Sequence, residues 1–284
     1  MNLLQISLLL LFIAVLLVYL LIHLVSRNPR RRNVSTPADI GLGFRDLRIP
    51  TVNRKMLHAW HIPQHSTAKA LLIITHGWGR NAERMMDCIN EFHQEGYDIL
   101  AFDARNHGDS DSDFYSSVKQ FKEDILAVIH FAGDSLLQQG QKIFLFGHSI
   151  GGSATLLAAA ENPSVTAAVS CGAFADPKTI VKRSLNSFRI LPRPVINIIL
   201  EYMQWRLKIR FEQVTPERLI PNAVANLLIV HGEEDVIVPV SEFHRLRQAC
   251  RKCQTLLLPL SGHSNLRKAP EFYPAIKSFF RSNL

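Results

Sequence analysis

The chain has 284 residues, 47% of them of hydrophobic type, with four cysteines and a formal net charge of +8. A chain this long and this apolar buries a full core, which excludes an intrinsically disordered protein and a disulfide-stapled miniprotein. The charge would suit nucleic acid if it lined one basic groove with aromatic residues, but part of it is the cluster Arg27, Arg30, Arg31 and Arg32 directly after an apolar run, so anionic lipid is the simpler partner and nucleic acid is not expected.

That apolar run comes first in the chain. Residues 3–25 are almost entirely Leu, Ile, Val, Phe and Ala, with Gln5, Ser7 and His23 near the ends where interfacial water reaches them. As a helix the run spans about 34 Å, enough to cross a bilayer core. A removed signal peptide would need a basic leader, a shorter apolar stretch and a small-x-small cleavage site, and none of the three is present. The arginines follow the run rather than precede it, so by the positive-inside rule the rest of the chain faces the cytoplasm. The expected organisation is a single-pass transmembrane anchor over 1–25, a linker over 26–43 broken by Pro29, Pro37, Gly41 and Gly43, and one domain over 44–284. Cys88, Cys171, Cys250 and Cys253 show no disulfide-framework spacing, and reduced thiols suit the cytoplasm. Cys250-x-x-Cys253 has no second pair for zinc and closes a helix rather than opening one, so it reads as coincidence.

Beyond the linker, strand and helix signals alternate. Residues 44–49 and 56–62 read as a hairpin, and 70–75 is a continuous apolar run, as expected of a strand covered on both faces. A helix over 83–95, a strand over 98–102, a helix over 117–137 and a strand over 143–146 follow. After a helix on small residues come strands at 165–170 and 227–230, separated by an insertion. A helix over 241–251, a strand over 255–258 and a helix over 270–280 close the chain. Repeated strand and helix with buried parallel strands means one α/β domain with helices on both faces, and chemistry belongs at the C-terminal ends of its strands.

Three strand ends carry chemically useful residues. The strand at 143–146 runs into Gly147-His148-Ser149-Ile150-Gly151, a G-x-S-x-G turn that lifts the Ser149 hydroxyl clear of the sheet. It also aims the unpaired N–H groups of the next helix at the place where an oxyanion would form. One oxyanion N–H is expected from Ile150. The other comes from the loop after 70–75, His76-Gly77-Trp78-Gly79, with Trp78 the candidate through its backbone. The strand at 227–230 leads to Asp235, and the strand at 255–258 leads to His263. Histidine takes and returns a serine proton near neutrality, and a buried carboxylate holds its tautomer. His76, His107, His148 and His231 sit in turns and read as structural hydrogen-bonding groups.

From about residue 44 to its end the chain resembles the α/β-hydrolase family. The resemblance rests on His76-Gly77-Trp78-Gly79, Asp103-Ala104-Arg105-Asn106-His107-Gly108, Gly147-His148-Ser149-Ile150-Gly151, His231-Gly232-Glu233-Glu234-Asp235 and Gly262-His263. It implies an eight-stranded, mostly parallel sheet and acyl transfer to water through a serine ester. Ser149 would be the nucleophile, Asp235 the acid and His263 the base, with Glu233 and Glu234 leaving the acidic member open. Asp103 and Arg105 read as a loop brace. Serine at the elbow excludes relatives that use aspartate there, such as haloalkane dehalogenases and epoxide hydrolases, and the cysteine-dependent dienelactone hydrolases. No cofactor and no metal are implied.

The resemblance places a substrate-selecting cap in the insertion, about 174–224, where basic residues such as Lys178, Arg193 and Lys208 lie beside an apolar stretch from 195 to 211. Such a cap either touches the membrane surface and admits a lipid-like or long acyl ester, or simply roofs the pocket with its charges solvated. The leading expectation is a membrane-anchored serine esterase, lipase or thioesterase. A serine peptidase of the prolyl-aminopeptidase type or an acyltransferase is the alternative, and a non-catalytic binding protein is disfavoured because every triad position is filled.

Overall fold

The apolar pentapeptide Leu71–Thr75 forms the central strand of an eight-stranded sheet in a computed structural model that describes residues 2–26, 29–64, 67–113, 115–187 and 192–284. The strands are β1 (Arg45–Thr51), β2 (Lys55–Ile62), β3 (Leu71–Thr75), β4 (Asp98–Phe102), β5 (Ile143–His148), β6 (Val165–Cys171), β7 (Asn226–Gly232) and β8 (Gln254–Leu258). Their order is β1-β2-β4-β3-β5-β6-β7-β8. The pairings β1–β2 and β2–β4 are antiparallel and all others are parallel. The strands named from the sequence form at the expected places, with β5 extended to His148 as the chain enters the serine turn.

Nine α-helices are assigned among the described residues: α1 (Leu3–Ser26), α2 (Met86–Gln94), α3 (Val118–Ser135), α4 (Ile150–Glu161), α5 (Pro177–Ser187), α6 (Arg193–Leu207), α7 (Pro216–Leu219), α8 (Val240–Ala249) and α9 (Phe272–Arg281). Alternation along the central strands sends Leu71, Ile73, Ile143 and Leu145 into one core with α3 and α4. Leu72, Ile74, Phe144 and Phe146 enter the other with α2 and α9. The helix ends follow local chemistry. Ser117 caps α3 by accepting from the Gln120 N–H at 3.3 Å. On α9 the buried set Phe272, Ile276, Phe279 and Phe280 makes one apolar stripe, each side chain stabilising the fold by roughly 1.5–3 kcal/mol relative to exposure.

The connection from β6 to β7 holds α5, α6 and α7 and has a small core of its own, Leu185, Ile196, Ile199, Leu200 and Phe211. It is pinned to the elbow helix where Ser153 Oγ donates to Phe174 O at 3.1 Å and accepts from the Phe174 N–H at 3.0 Å.

At the N-terminus a helix forms over Leu3–Ser26, with Leu3, Phe12, Val15 and Leu17 among its exposed side chains. Among the described residues no helix is long and apolar enough to cross a membrane. The side chains at positions 11, 14, 18 and 21–26 lie outside those residues, as does Arg27. The described residues therefore do not support the transmembrane span expected over 1–25.

Two expectations require correction. Arg30 and Arg32 do not simply wait for lipid. Arg30 donates to Gly108 O at 2.9 Å, to Ser112 Oγ at 2.8 Å and to Ser110 O, and Arg32 pairs with Asp109 at 3.0 Å. The loop after β4 offers these residues a carboxylate and free carbonyls, and bonding them satisfies groups that lipid would leave unpaired. The second concerns the thiols. Cys250 and Cys253 are joined in a disulfide, because the turn after α8 brings their Cα atoms to 5.4 Å, within bridging range. Cys88 and Cys171 are free and buried.

Candidate active site

Ser149 occupies the turn between β5 and α4 with φ 58° and ψ −125°, a backbone conformation that a residue with a Cβ rarely adopts. Two glycines make room for it. A Cβ on Gly147 would come within 2.4 Å of Gly151 O and Thr155 Oγ1, and one on Gly151 within 2.3 Å of His76 O. The turn thus lies against the loop after β3, and Gly77 is packed close enough for an added Cβ to meet Ser149 Cβ at 3.2 Å.

The hydroxyl of Ser149 donates to His263 Nε2 at 2.9 Å, and His263 Nδ1–H donates to Asp235 Oδ2 at 2.7 Å. The second carboxylate oxygen, Oδ1, accepts from the N–H groups of Ile237 at 2.9 Å and Val238 at 2.8 Å. Burial raises the Asp235 carboxyl, but the hydrogen bond and charge of His263, the Val238 N–H and His231 outweigh it, so its pKa is held below the ordinary carboxylate value. Glu233 and Glu234 are exposed, and it is Asp235 that faces the histidine. These three side chains leave the ends of β5, β7 and β8, so parallel strands bring residues far apart in sequence to one edge of the sheet.

The N–H groups of Trp78 and Ile150 donate to no acceptor among the described residues, and both residues border the same cavity as Ser149. The cavity has a volume of about 380 Å³, and α5 and α6 form much of its wall through Ile180, Val181, Leu185, Ile199 and Met203. Its remaining polar lining is confined to serines, and no carboxylate or cation borders it among the described residues.

The four turn histidines, His76, His107, His148 and His231, are bonded to backbone. His76 Nδ1–H donates to Gly77 O at 2.8 Å while its Nε2 accepts from the Ala104 N–H at 3.0 Å, and His107 Nδ1–H donates to Arg105 O at 2.9 Å. His148 Nε2–H donates to His263 O at 2.9 Å, which braces the loop that carries His263, and His231 Nε2–H donates to Val238 O at 2.9 Å beside Asp235. Burial lowers all four, and His107 and His148 are pushed down to about 3, so they stay neutral at physiological pH. Arg105 braces its loop by bonds to Asp124 at 2.7 Å and Glu123 at 2.7 Å.

Two features are not evident from sequence, although Asp103 itself is expected in a loop brace. Gly172, at the end of β6 with φ 60°, lies where a Cβ would press on the His263 ring at 3.3 Å, and its only sequence signal is a glycine directly after an apolar strand. The group His58, Asp103 and Asp109 brings three potential metal-ligating atoms within 4.8 Å of one another. Their hydrogen-bonding capacity is already used: His58 bonds Asp103 at 3.0 Å and Asp46 at 2.8 Å, while Asp103 also accepts from Asn33 at 2.6 Å and from the Ala82 N–H at 2.7 Å. The cluster ties the segment at Asn33 to the loops after β3 and β4.

Comparison with known proteins bears on the family and the fold. A protein of Escherichia coli, "Uncharacterized 31.7 kDa protein in traX-finO intergenic region", is 32% identical over 129 residues, 45% of each chain, so this chain spans less than half the length of the first curated relatives it matches. Human monoglyceride lipase is 29% identical over 183 residues, 61% of this chain and 55% of the lipase. The Pyrococcus furiosus esterase Pf2001 superposes with a TM-score of 0.73 over 91% of this chain and 97% of that one at 19% identity, a likeness of fold alone. A family model described as "Serine aminopeptidase, S33" matches residues 66–218, more than half of the chain. With its eight-stranded, mostly parallel sheet and its strained serine turn, the chain belongs to this family of α/β-hydrolases.

Proposed function

We propose that this protein is a serine hydrolase that cleaves a carboxylic ester or thioester of an apolar acyl group through an acyl-enzyme intermediate, with α1 as its membrane anchor. The observation that carries the reading is the unbroken hydrogen-bond chain from Asp235 through His263 to Ser149, opening onto an apolar cavity. Ser149 Oγ attacks the acyl carbonyl while His263 takes its proton, then returns that proton to the leaving oxygen or sulfur. Water repeats the sequence on the acyl-enzyme and frees the acid. Asp235 holds the imidazole in the reactive tautomer, and the unbonded N–H groups of Trp78 and Ile150 take the charge that develops on the carbonyl oxygen.

The family's description favours a second reading, an aminopeptidase or related amidase. Against it stands the wall of the cavity: an aminopeptidase must hold the free ammonium of its substrate, and no carboxylate borders this pocket among the described residues. The similarity to monoglyceride lipase points the same way, toward an uncharged acyl ester. The anchor rests on the sequence of Leu3–Ser26, which carries no charged side chain; the arginines after it favour the cytoplasmic side for the rest of the chain, and the Cys250–Cys253 bridge is the feature that favours an oxidising compartment instead.

Fluorophosphonate labelling of the wild type and of Ser149→Ala tests the chemistry, and a folded wild-type protein that does not label overturns it. A chain-length panel of p-nitrophenyl esters run beside aminoacyl amides separates the two substrate readings. Faster turnover of the amides would reverse the assignment.

A further inference from the structure

Helix α6 presents two different apolar surfaces. Ile199 and Met203 line the cavity. Ile198 and Trp205, seven residues apart and so on one helix face, are 63% and 72% exposed. The helix that walls the acyl cavity therefore holds a large apolar pair out to solvent on another side. Beside that pair lies an open groove bordered by Lys178, Lys208 and Arg210, with Glu201 and Glu212 also on its edge. Glu201 is engaged by Gln204, while none of the three cations has an ion-pair partner among the described residues. Over residues 172–225 the chain carries nine Lys and Arg against four Asp and Glu.

One loop touches both the segment that follows the N-terminal helix and helix α6. Arg30 is seated on that loop by its bonds to Gly108, Ser110 and Ser112, and it follows Ser26, the last residue of α1, by four positions, a reach of at most about 14 Å. Further along the same loop, Tyr115 donates its hydroxyl to Arg206 O at 3.0 Å, and its ring lies 5.4 Å from the Arg206 guanidinium. Arg206 is the neighbour of Trp205, in the last turn of the helix that carries Ile198. The root of α1 and the exposed face of α6 are thus joined by a short run of direct contacts.

We infer that the Ile198–Trp205 face of α6, together with the groove of Lys178, Lys208 and Arg210, seats on the anionic surface of the bilayer that α1 enters. This sets a wall of the acyl cavity directly against the lipid. Tryptophan favours the headgroup level, where its ring is apolar on one side and wet on the other, and unpaired cations beside it are attracted to anionic headgroups. A soluble partner protein fits less well, because only four positions separate the end of α1 from Arg30, and the loop that holds Arg30 also holds α6 through Tyr115. The inference rests on the reading of α1 as an anchor, and it adds which face of the domain meets the membrane.

The full chain, reconstituted into vesicles whose acyl chains are brominated, provides the test. Of its three tryptophans, Trp60 is buried and Trp78 is half-buried, so the part of the quenching lost in Trp205→Phe reports Trp205. That part should be about twofold larger or more in vesicles containing phosphatidylglycerol than in pure phosphatidylcholine. It should fall to the phosphatidylcholine level in the triple variant Lys178→Gln, Lys208→Gln, Arg210→Gln, with circular dichroism showing that both variants fold. Equal quenching of wild type and Trp205→Phe in both lipids overturns the inference. Alkaline carbonate extraction tells the two readings apart. A chain retained in the vesicles with Trp205 unquenched overturns the seating alone, whereas a chain released by carbonate removes the anchor and the seating with it.

Discussion

Ser149 and His263 are 114 residues apart in sequence and 2.9 Å apart in space, serine hydroxyl to imidazole Nε2. Removing either end of that bond, or the carboxylate behind it, separates machinery from binding. Ser149→Ala should lower kcat by about 10⁶-fold, and Asp235→Asn by about 10⁴-fold through loss of the correct imidazole tautomer. KM should change little in either, since neither side chain forms the apolar wall. Steady-state kinetics on the best p-nitrophenyl ester measure both, and an Asp235→Asn enzyme with near wild-type kcat would remove Asp235 from the assignment.

The carboxylate of Asp235 also links the site to stability. Its pKa is depressed in the folded chain by the His263 hydrogen bond and charge acting against burial. A group depressed on folding contributes stability that is fully present above its unfolded value, about 3.9, and is lost as pH falls through the folded value. Wild type should therefore lose urea resistance more steeply than Asp235→Asn as pH falls below about 4. Parallel curves for the two proteins would show that the pair contributes nothing to folding.

The elbow is legible in sequence because everything it needs is local. Two glycines flank the serine, and the structure shows the reason: at Gly147 and Gly151 an added Cβ meets backbone oxygens that cannot move aside. Each Gly→Ala change there should cost about 3 kcal/mol or more. Gly262→Ala, whose nearest neighbours would stand at 3.5 Å, should be close to neutral. Urea denaturation of the three variants measures the contrast, and a tolerated Gly151→Ala would mean that α4 can shift away from the loop after β3.

Asp235 and His263 are legible less directly, as side chains just beyond strand ends in a workable order. Among Glu233, Glu234 and Asp235 the pattern of charge alone does not choose. The choice is made by a turn in which the Ile237 and Val238 N–H groups hold one carboxylate oxygen and leave the other to His263. What sequence did not convey is long-range and polar. Nothing near Arg30 or Asn33 signals that their partners lie some 70 to 80 residues onward, at Asp103, Gly108 and Asp109, so an arginine cluster after an apolar run reads only as lipid-facing. The Cys250–Cys253 bridge was hidden for a related reason, because a spacing of three says nothing about whether the turn after a helix brings the two residues together.

The linker is seated on a polar cluster that contains a titratable histidine. His58 donates to Asp103 at 3.0 Å and to Asp46 at 2.8 Å, and Asp103 also receives Asn33. Burial lowers the pKa of His58, but the two carboxylates outweigh it, and the net pKa is raised above 6.5. Asp103 moves in the matching direction: burial raises it, and His58, His76 and two backbone N–H groups bring it below its ordinary value. A histidine raised on folding contributes stability that is fully present below its unfolded pKa and is lost as pH rises through the folded value. The stability difference between wild type and His58→Gln, read from urea midpoints, should therefore be largest near pH 5.5 and shrink toward pH 9. Because Asn33 shares the Asp103 carboxylate, protease cleavage within the linker should quicken over the same pH rise in the wild type and be fast throughout in the variant. A difference between the two proteins that grows with pH would show that His58 folds in its neutral form and does not hold the linker.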